Sequence, residues 1–425
     1  MTSVAVLADD LTSAGDGAAP FRRGGHRAQV LLTVPARAAE ATPGVVAVDL
    51  GSRLLDEGEA VTRTRQAFEA YAGADLLIKT VDSTLRGHVA AEVRAAYAGS
   101  RRRAVLIAPA FPAEGRTTAG GVQHVHGVPV HESAFGRDPA HPVTTSDLAR
   151  LLPEATVLTR DEVDRLPELV ARGGLLVCSA ATDRDLDRIV AAVPEVRDVL
   201  WVGSPGLAAA LARRHPRTTA TASPAPTPIP YENGRAALPA AGRPLLVVGS
   251  AHPAGRRQLD LLRGRPDVTA VPADDTAAAV AALRRATTAV RVVHTPDAHR
   301  PAAAPGSLTR DLARVTESLV ADGAVDGLVL TGGETAVAVL QALGVAGIEL
   351  YDEPEPGIAR GTLIGPRPVP VLIKAGGFGD DGTLDRLCRL LTAPGTDTGA
   401  PAKGGRTAPA PGGAGAPAPE RSVDA

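Results

Sequence analysis

The sequence predicts an α/β fold of two lobes, each a mainly parallel sheet flanked by helices. Three observations lead there. Short apolar runs of strand length recur along the chain and alternate with amphipathic segments, the pattern of parallel strands joined by crossover helices. Between His215 and Arg243 that alternation gives way to Pro, Ala and Thr without periodicity, the composition of a linker. A second alternating series then begins at Leu245.

In the first lobe the predicted strands are 4–8, 29–32, 45–50, 76–78, 104–107, 175–178 and 200–202, with helices at 59–72, 89–98 and 206–214. The second lobe gives strands at 245–248, 268–271, 290–294, 328–330 and 369–373, a helix at 336–343 and a short last helix at 384–391. The expected organisation is therefore a lobe over 1–214, a linker over 215–243, a lobe over 244–392 and a tail over 393–425. The tail holds Pro, Gly, Ala and charge with little to bury, and is read as disordered. Two lobes that offer strand-end loops to one interdomain cleft suit an active site for a two-substrate reaction.

Composition narrows the function. A net charge of −2 provides no basic field for a nucleic-acid backbone, and five Phe, four Tyr and one Trp are too few for stacking platforms. Cys178 and Cys388 lie in apolar stretches and read as buried thiols of a reducing compartment. The first ten residues lack the basic start of a signal peptide, and no apolar run reaches the length of a membrane span. A cytoplasmic protein with a small-molecule partner is expected, and a homo-oligomer is left open.

Of 45 Lys plus Arg, only Lys79, Lys374 and Lys403 are lysine. Lys403 falls in the low-complexity tail. Lys79 and Lys374 end apolar runs before polar or Gly-rich turns, where a compact ammonium fits and a planar guanidinium does not; a catalytic or phosphate-binding role is expected of both.

The first strand delivers Asp9 and Asp10 to its C-terminal end. One carboxylate is expected to cap the next helix with Thr12, leaving the other to accept a hydroxyl proton or hold a metal. Lys79, Asp82, Ser83, Thr84 and Arg86 follow another strand. Cations to meet an acid group and Asp, Ser and Thr to meet hydroxyls make an inventory for a polyhydroxy carboxylate. Arg53, at a third strand end, is a candidate carboxylate clamp beside the plain alternative of a surface arginine.

In the second lobe, Thr331-Gly332-Gly333-Glu334-Thr335 joins a strand to a helix. The Thr-x-x-Glu spacing is a capping box, and the paired glycines bare amides at a helix N-terminus that favours phosphate. Ser250 can place a hydroxyl at the same rim. Lys374, Gly376 and Gly377 open a third glycine turn that contains G-x-G-x-x-G, but no βαβ continuation or acid follows it, so a dinucleotide fold fails on context. No G-x-x-x-x-G-K-[ST] is present, which leaves the separate glycine turns to hold phosphate. His124, His126, His131 and His141 lack zinc-hydrolase spacing and read as scattered polar histidines.

Taken together, Ala8 to Thr12, Asp82 to Gly87, Ala108 to Pro112 with Gly115 and Arg116, Gly332 to Thr335 and Lys374 to Gly379 resemble the four-carbon acid sugar kinases, in order and across both lobes. The resemblance implies an N-terminal domain that binds threonate, erythronate or a 3-oxo form, and a C-terminal domain that binds ATP. It assigns Asp9 or Asp10, Arg53, Lys79, Asp82, Ser83 and Thr84 to the acid. Ser250, Gly332, Gly333, Glu334, Thr335, Gly376 and Gly377 fall to the nucleotide. The chain departs from the family pattern at Ser13, His88 and His252. The mechanism expected is in-line transfer of the ATP γ-phosphoryl to a terminal hydroxyl, O4, with Asp10 or Asp82 taking the proton, Lys79 or Lys374 near the transferring group and Mg²⁺ bridging the phosphates. A two-lobed sensor of a sugar acid is the alternative from another class, and a nucleotide-dependent oxidoreductase a third.

Overall fold

The computed structural model describes residues 3–35, 44–138, 141–216, 231–232, 235–236, 240–250, 252–296 and 306–392. Much of the expected linker and all of the expected tail lie outside the described residues.

The N-terminal lobe contributes β1 (Ser3–Ala8), β2 (Ala28–Leu31), β3 (Gly44–Asp49), β4 (Leu76–Thr80) and β5 (Ala104–Ala108), then a small meander of β6 (Arg116–Ala119), β7 (Val122–Val125) and β8 (Val128–Pro129). It closes with β9 (Thr156–Leu158), β10 (Gly174–Cys178) and β11 (Val199–Gly203). A two-stranded ribbon, β12 (Tyr231–Glu232) and β13 (Arg235–Ala236), precedes the second lobe. There β14 (Pro244–Val248), β15 (Val268–Pro272), β16 (Val290–His294), β17 (Gly327–Thr331), β18 (Gly347–Asp352), β19 (Ile358–Ile364) and β20 (Pro370–Lys374) complete the set.

The order β2-β3-β1-β4-β11-β5-β10-β9 is parallel throughout, as is β15-β16-β14-β17-β20. Helices cover both faces, and the central strands are buried along their whole length, which is why they read as unbroken apolar runs. The predicted strands and helices all appear within a few residues of their expected bounds.

The sequence did not reveal β18 and β19. These strands run antiparallel, β18 against β19 and β19 against β20, and β18 also pairs with β2 of the first lobe. Gly347 to Leu350 face Leu31 to Ala28, so the two parallel sheets join into one sheet of 15 strands. The helix Leu11–Arg23 packs against both β18 and β19. At Gly15 an added Cβ would stand 3.1 Å from Ala359 Cβ, so the helix approaches the second lobe almost backbone to backbone.

Cys178 and Cys388 are buried free thiols. No helix among the described residues is long and apolar enough to cross a membrane.

Candidate active site

Strand C-terminal ends from both lobes face one another across the junction. Asp10 caps the helix Leu11–Arg23: its Oδ1 accepts from the Ser13 amide at 2.7 Å and from Thr12 Oγ1 at 3.1 Å. Asp9 is buried and holds Arg53 bidentately, Nε to Oδ2 at 2.8 Å and Nη2 to Oδ1 at 3.0 Å. Arg53 Nη1 pairs with Asp10, and Nη2 donates to Ser13 Oγ at 3.3 Å. Burial works against the Arg53 charge, but Asp10, Asp9 and Asp82 hold its pKa well above the ordinary arginine value. The expectation of one free carboxylate beside an acid-clamping arginine is corrected: Arg53 knits both aspartates into one cluster.

The segment after β4 wraps this cluster. Gly87 takes φ +87°, and a Cβ there would stand 3.5 Å from Asp9 Oδ2. Asp82 accepts from the Thr84 amide and Thr84 Oγ1, both at 3.0 Å, and pairs with Arg86. Burial raises the Asp82 pKa, yet Arg86 and then Arg53 bring it well below the usual carboxylate range. Asp82 thus shapes a turn and does not cap the next helix, whose N-cap is His88. Arg86 also lies 3.6 Å from Asp138 and over the Phe135 ring. Ser83 is buried, its carbonyl accepting from Gln123 Nε2 at 2.8 Å.

Lys79 does not reach the cleft. Its side chain is fully buried, pairs with Glu92 at 2.6 Å and donates to the Thr80 carbonyl at 2.8 Å. The structure corrects the catalytic expectation, because strand alternation turns this lysine onto the helix Val89–Ser100.

On the other lobe three turns converge. Gly332 takes φ +94° and is itself the N-cap of the helix Gly333–Ala342, with no side-chain cap. Thr331 ends β17 with its hydroxyl buried and unpartnered, so the expected capping box does not form. The first amides of this helix keep no side-chain acceptor, which favours an anion there. Thr335 is buried beneath Gly249, while Glu334 points to solvent. A Cβ on Gly376 would overlap Ser250 Oγ and lie 3.9 Å from Gly332 Cα; one on Gly377 would stand 3.2 Å from His252 Nε2. Lys374 closes the floor, its Nζ donating to the carbonyls of Ala375 at 2.9 Å and Gly376 at 3.3 Å, with burial lowering its pKa to about 8.

The two halves touch. A Cβ on Gly333 would lie 4.0 Å from Asp10 Oδ2 and 3.7 Å from Thr12 Cγ2. The helix N-terminus of one lobe therefore ends at the aspartate of the other.

Two cleft residues were given no role by the sequence: Asp16, which nothing singled out, and Arg116, which figured only within a motif. Asp16, four residues beyond Thr12, is buried in the narrow gap it lines with Thr12, Ile348 and Gly357. Burial and then Glu353 and Asp10 raise its pKa well above the ordinary value. The signal available was a lone acid in a run of Ala and Gly on one helix. Arg116 lies with its guanidinium 5.6 Å from the Phe378 ring centroid, across the lobe boundary. No group of three or more His, Cys, Asp or Glu side chains suited to a metal occurs among the described residues.

A family model for a sugar-binding N-terminal domain matches residues 4–211, and one for a nucleotide-binding C-terminal domain matches residues 245–384. A D-threonate kinase of Bordetella bronchiseptica is 34% identical over 91% of this chain and 97% of its own length. One of Cupriavidus necator is 37% identical over the same shares, 91% and 97%. A crystal structure from Salmonella typhimurium LT2 shares the fold at a TM-score of 0.76, with 23% identity, over 92% of this chain and 100% of that one. With both halves matched in order and relatives above 30% identity over nearly the whole length, the chain belongs to the four-carbon acid sugar kinase family.

Proposed function

We propose that this protein is an ATP-dependent cytoplasmic kinase that phosphorylates the terminal hydroxyl, O4, of a four-carbon sugar acid, with D-threonate the first candidate. The observation that carries the reading is the abutment of Gly333 on Asp10. It sets an uncapped helix N-terminus, suited to phosphate, against a carboxylate suited to a hydroxyl proton. D-threonate is preferred because the relatives of 34% and 37% identity act on it by name.

The glycine turns at 332–333 and 376–377 leave room for phosphate, with φ +94° at Gly332 and a Cβ on Gly376 overlapping Ser250 Oγ, and Lys374 and the open amides neutralise its charge. Of the three aspartates, Asp10, though also paired with Arg53, is the most exposed and the one that meets Gly333, and it is the proton acceptor of this reading. Asp82 is held strongly ionised by Arg86 and Arg53, so its basicity is low. Asp9 is buried and fully engaged by Arg53. A Mg²⁺ ion would accompany the nucleotide and be held chiefly by phosphate and water, since no group of three or more metal-ligating side chains occurs among the described residues. When bound, it spreads the phosphate charge. In the transfer itself the hydroxyl oxygen bonds to the γ-phosphorus as the bond to the β,γ-bridging oxygen breaks. The proton passes to Asp10, and ADP leaves with the electron pair.

The test is ADP formation with Mg²⁺ across D- and L-threonate, D- and L-erythronate, their 3-oxo forms and longer aldonates. Turnover with one four-carbon acid, and phosphate found on O4 of the product, is expected. ATP binding with no stimulation by any acid would sink the substrate class, and absence of ATP binding would sink the kinase.

A further inference from the structure

Most cations of the cleft are committed to the protein. Arg53 holds Asp9 and Asp10, Arg86 holds Asp82, and Lys374 is closed onto backbone carbonyls. Arg116 differs. Its Nε and Nη1 are buried without any hydrogen-bond partner, and its one ion-pair neighbour among the described residues is Glu114 at 3.7 Å, beyond hydrogen-bond reach. Two orphaned donors on a largely buried guanidinium are costly unless a ligand completes them.

The position of this guanidinium is also specific. Its backbone is pinned by a bridge to Phe111, with Phe111 N donating to Arg116 O at 2.8 Å and Arg116 N donating to Phe111 O at 3.1 Å. The side chain crosses the lobe boundary to the face of Phe378, a residue of the same turn as Gly376 and Gly377. Burial lowers the Arg116 pKa, and Asp82 of the acid-side segment is the leading charge that opposes it. A guanidinium with unpartnered donors thus reaches from the acid-side lobe to the turn suited to the nucleotide.

We propose that Arg116 is a catalytic residue that binds the γ-phosphoryl group during its transfer from ATP to the acid, supplied by the acid-binding lobe in cis. This rests on the kinase reading above. As the hydroxyl oxygen bonds to the γ-phosphorus and the bridging bond to ADP breaks, charge spreads over the three equatorial oxygens of the moving group. The guanidinium of Arg116 donates to these oxygens, and no proton leaves it. The Phe378 ring, with the guanidinium carbon 5.6 Å from its centroid, holds the cation beside the nucleotide-side turn.

The experiment is calorimetric titration of ADP and of the β,γ-imido analogue of ATP, both with Mg²⁺, into wild type, Arg116→Gln and Arg116→Lys, together with steady-state kinetics. The analogue should bind Arg116→Gln about tenfold or more weakly than wild type while ADP affinity stays within about twofold, since only the analogue carries the third phosphate. The kcat should fall by about 10²–10³ in Arg116→Gln. Arg116→Lys, which keeps the charge and the fold but not the fork, should recover part of both. An unchanged ratio of analogue to ADP affinity with a raised KM for the acid would overturn the proposal and make Arg116 a substrate clamp. Wild-type binding of neither nucleotide would instead remove the kinase reading, and this inference with it.

Discussion

Replacing Lys79 by methionine separates a structural lysine from a catalytic one. The Lys79–Glu92 pair is 2.6 Å long with side chains only 1% and 3% exposed, and Glu92 Oε1 has no hydrogen-bond partner. Lys79→Met therefore leaves a buried carboxylate with neither oxygen satisfied. Removing one partner of a buried pair costs about 3–5 kcal/mol. With a slope of about 2–3 kcal/mol per molar urea, the midpoint should drop by about 1–2 M. The double variant Lys79→Met, Glu92→Leu removes both charges and fills the space with apolar groups, so most of the loss should return. What remains is about 1 kcal/mol for the donor lost to the Thr80 carbonyl. Urea titrations of wild type and both variants, with kcat measured on the folded fraction, decide the matter. If Lys79→Met keeps its midpoint yet loses kcat, the reasoning is refuted and Lys79 belongs in the cleft.

Asp10→Asn should lower kcat by about 10²–10⁴ with little change in ATP affinity by titration, since the amide accepts no proton in the transfer. Lys374 is charged below a pKa of about 8, so kcat/KM for ATP should fall as pH rises through 8, and Lys374→Met should lack that limb in a pH–rate profile. For Asp49, burial raises the carboxyl pKa from 3.8 to about 7. Its stabilising contribution is thus full below pH 3.8 and lost as pH rises through 7. Asp49→Asn should therefore be more stable than wild type by a few kcal/mol at pH 8 in urea titration, and should lack that decline.

Strands with two buried faces were legible because burial on both sides demands continuous apolar runs. The joint between the lobes was not, for the same reason reversed. In β19 the burial alternates from Ala359 to Ile364, and Glu349, Asp352, Arg360 and Thr362 interrupt the apolar residues of the β18–β19 pair. Such segments resemble loops when the eye is set for parallel strands. At the site, strand ends located Asp9, Asp10, Asp82, Gly332 and Lys374 correctly, but not their commitments. Lys79 and Lys374 end similar apolar runs, and only Glu92, thirteen residues on, tells them apart. Glu92 sits in the first turn of a helix, where an acid already has an ordinary reason to be. Likewise Arg53 showed its cation but not that two aspartates from another strand end would absorb it.

The junction bears directly on how the reaction is set up. Transfer requires the two bound substrates to meet within about 3–3.5 Å, and here the pieces that would hold them are fixed by the fold itself. The helix that begins at Asp10 packs on β18 and β19, and four residue pairs of β2 and β18 make the sheet continuous. The ion pairs beside that seam, Arg23–Glu353 at 2.6 Å and Arg27–Glu349 at 3.0 Å, have half-exposed arginines and contribute little. Close backbone approach sets the geometry instead: a Cβ on Gly347 would overlap the Val30 carbonyl, and one on Gly361 the Glu349 carbonyl. Swinging one lobe away from the other would break these ladder bonds. The Arg116–Phe378 contact is one that spans both lobes without belonging to the sheet.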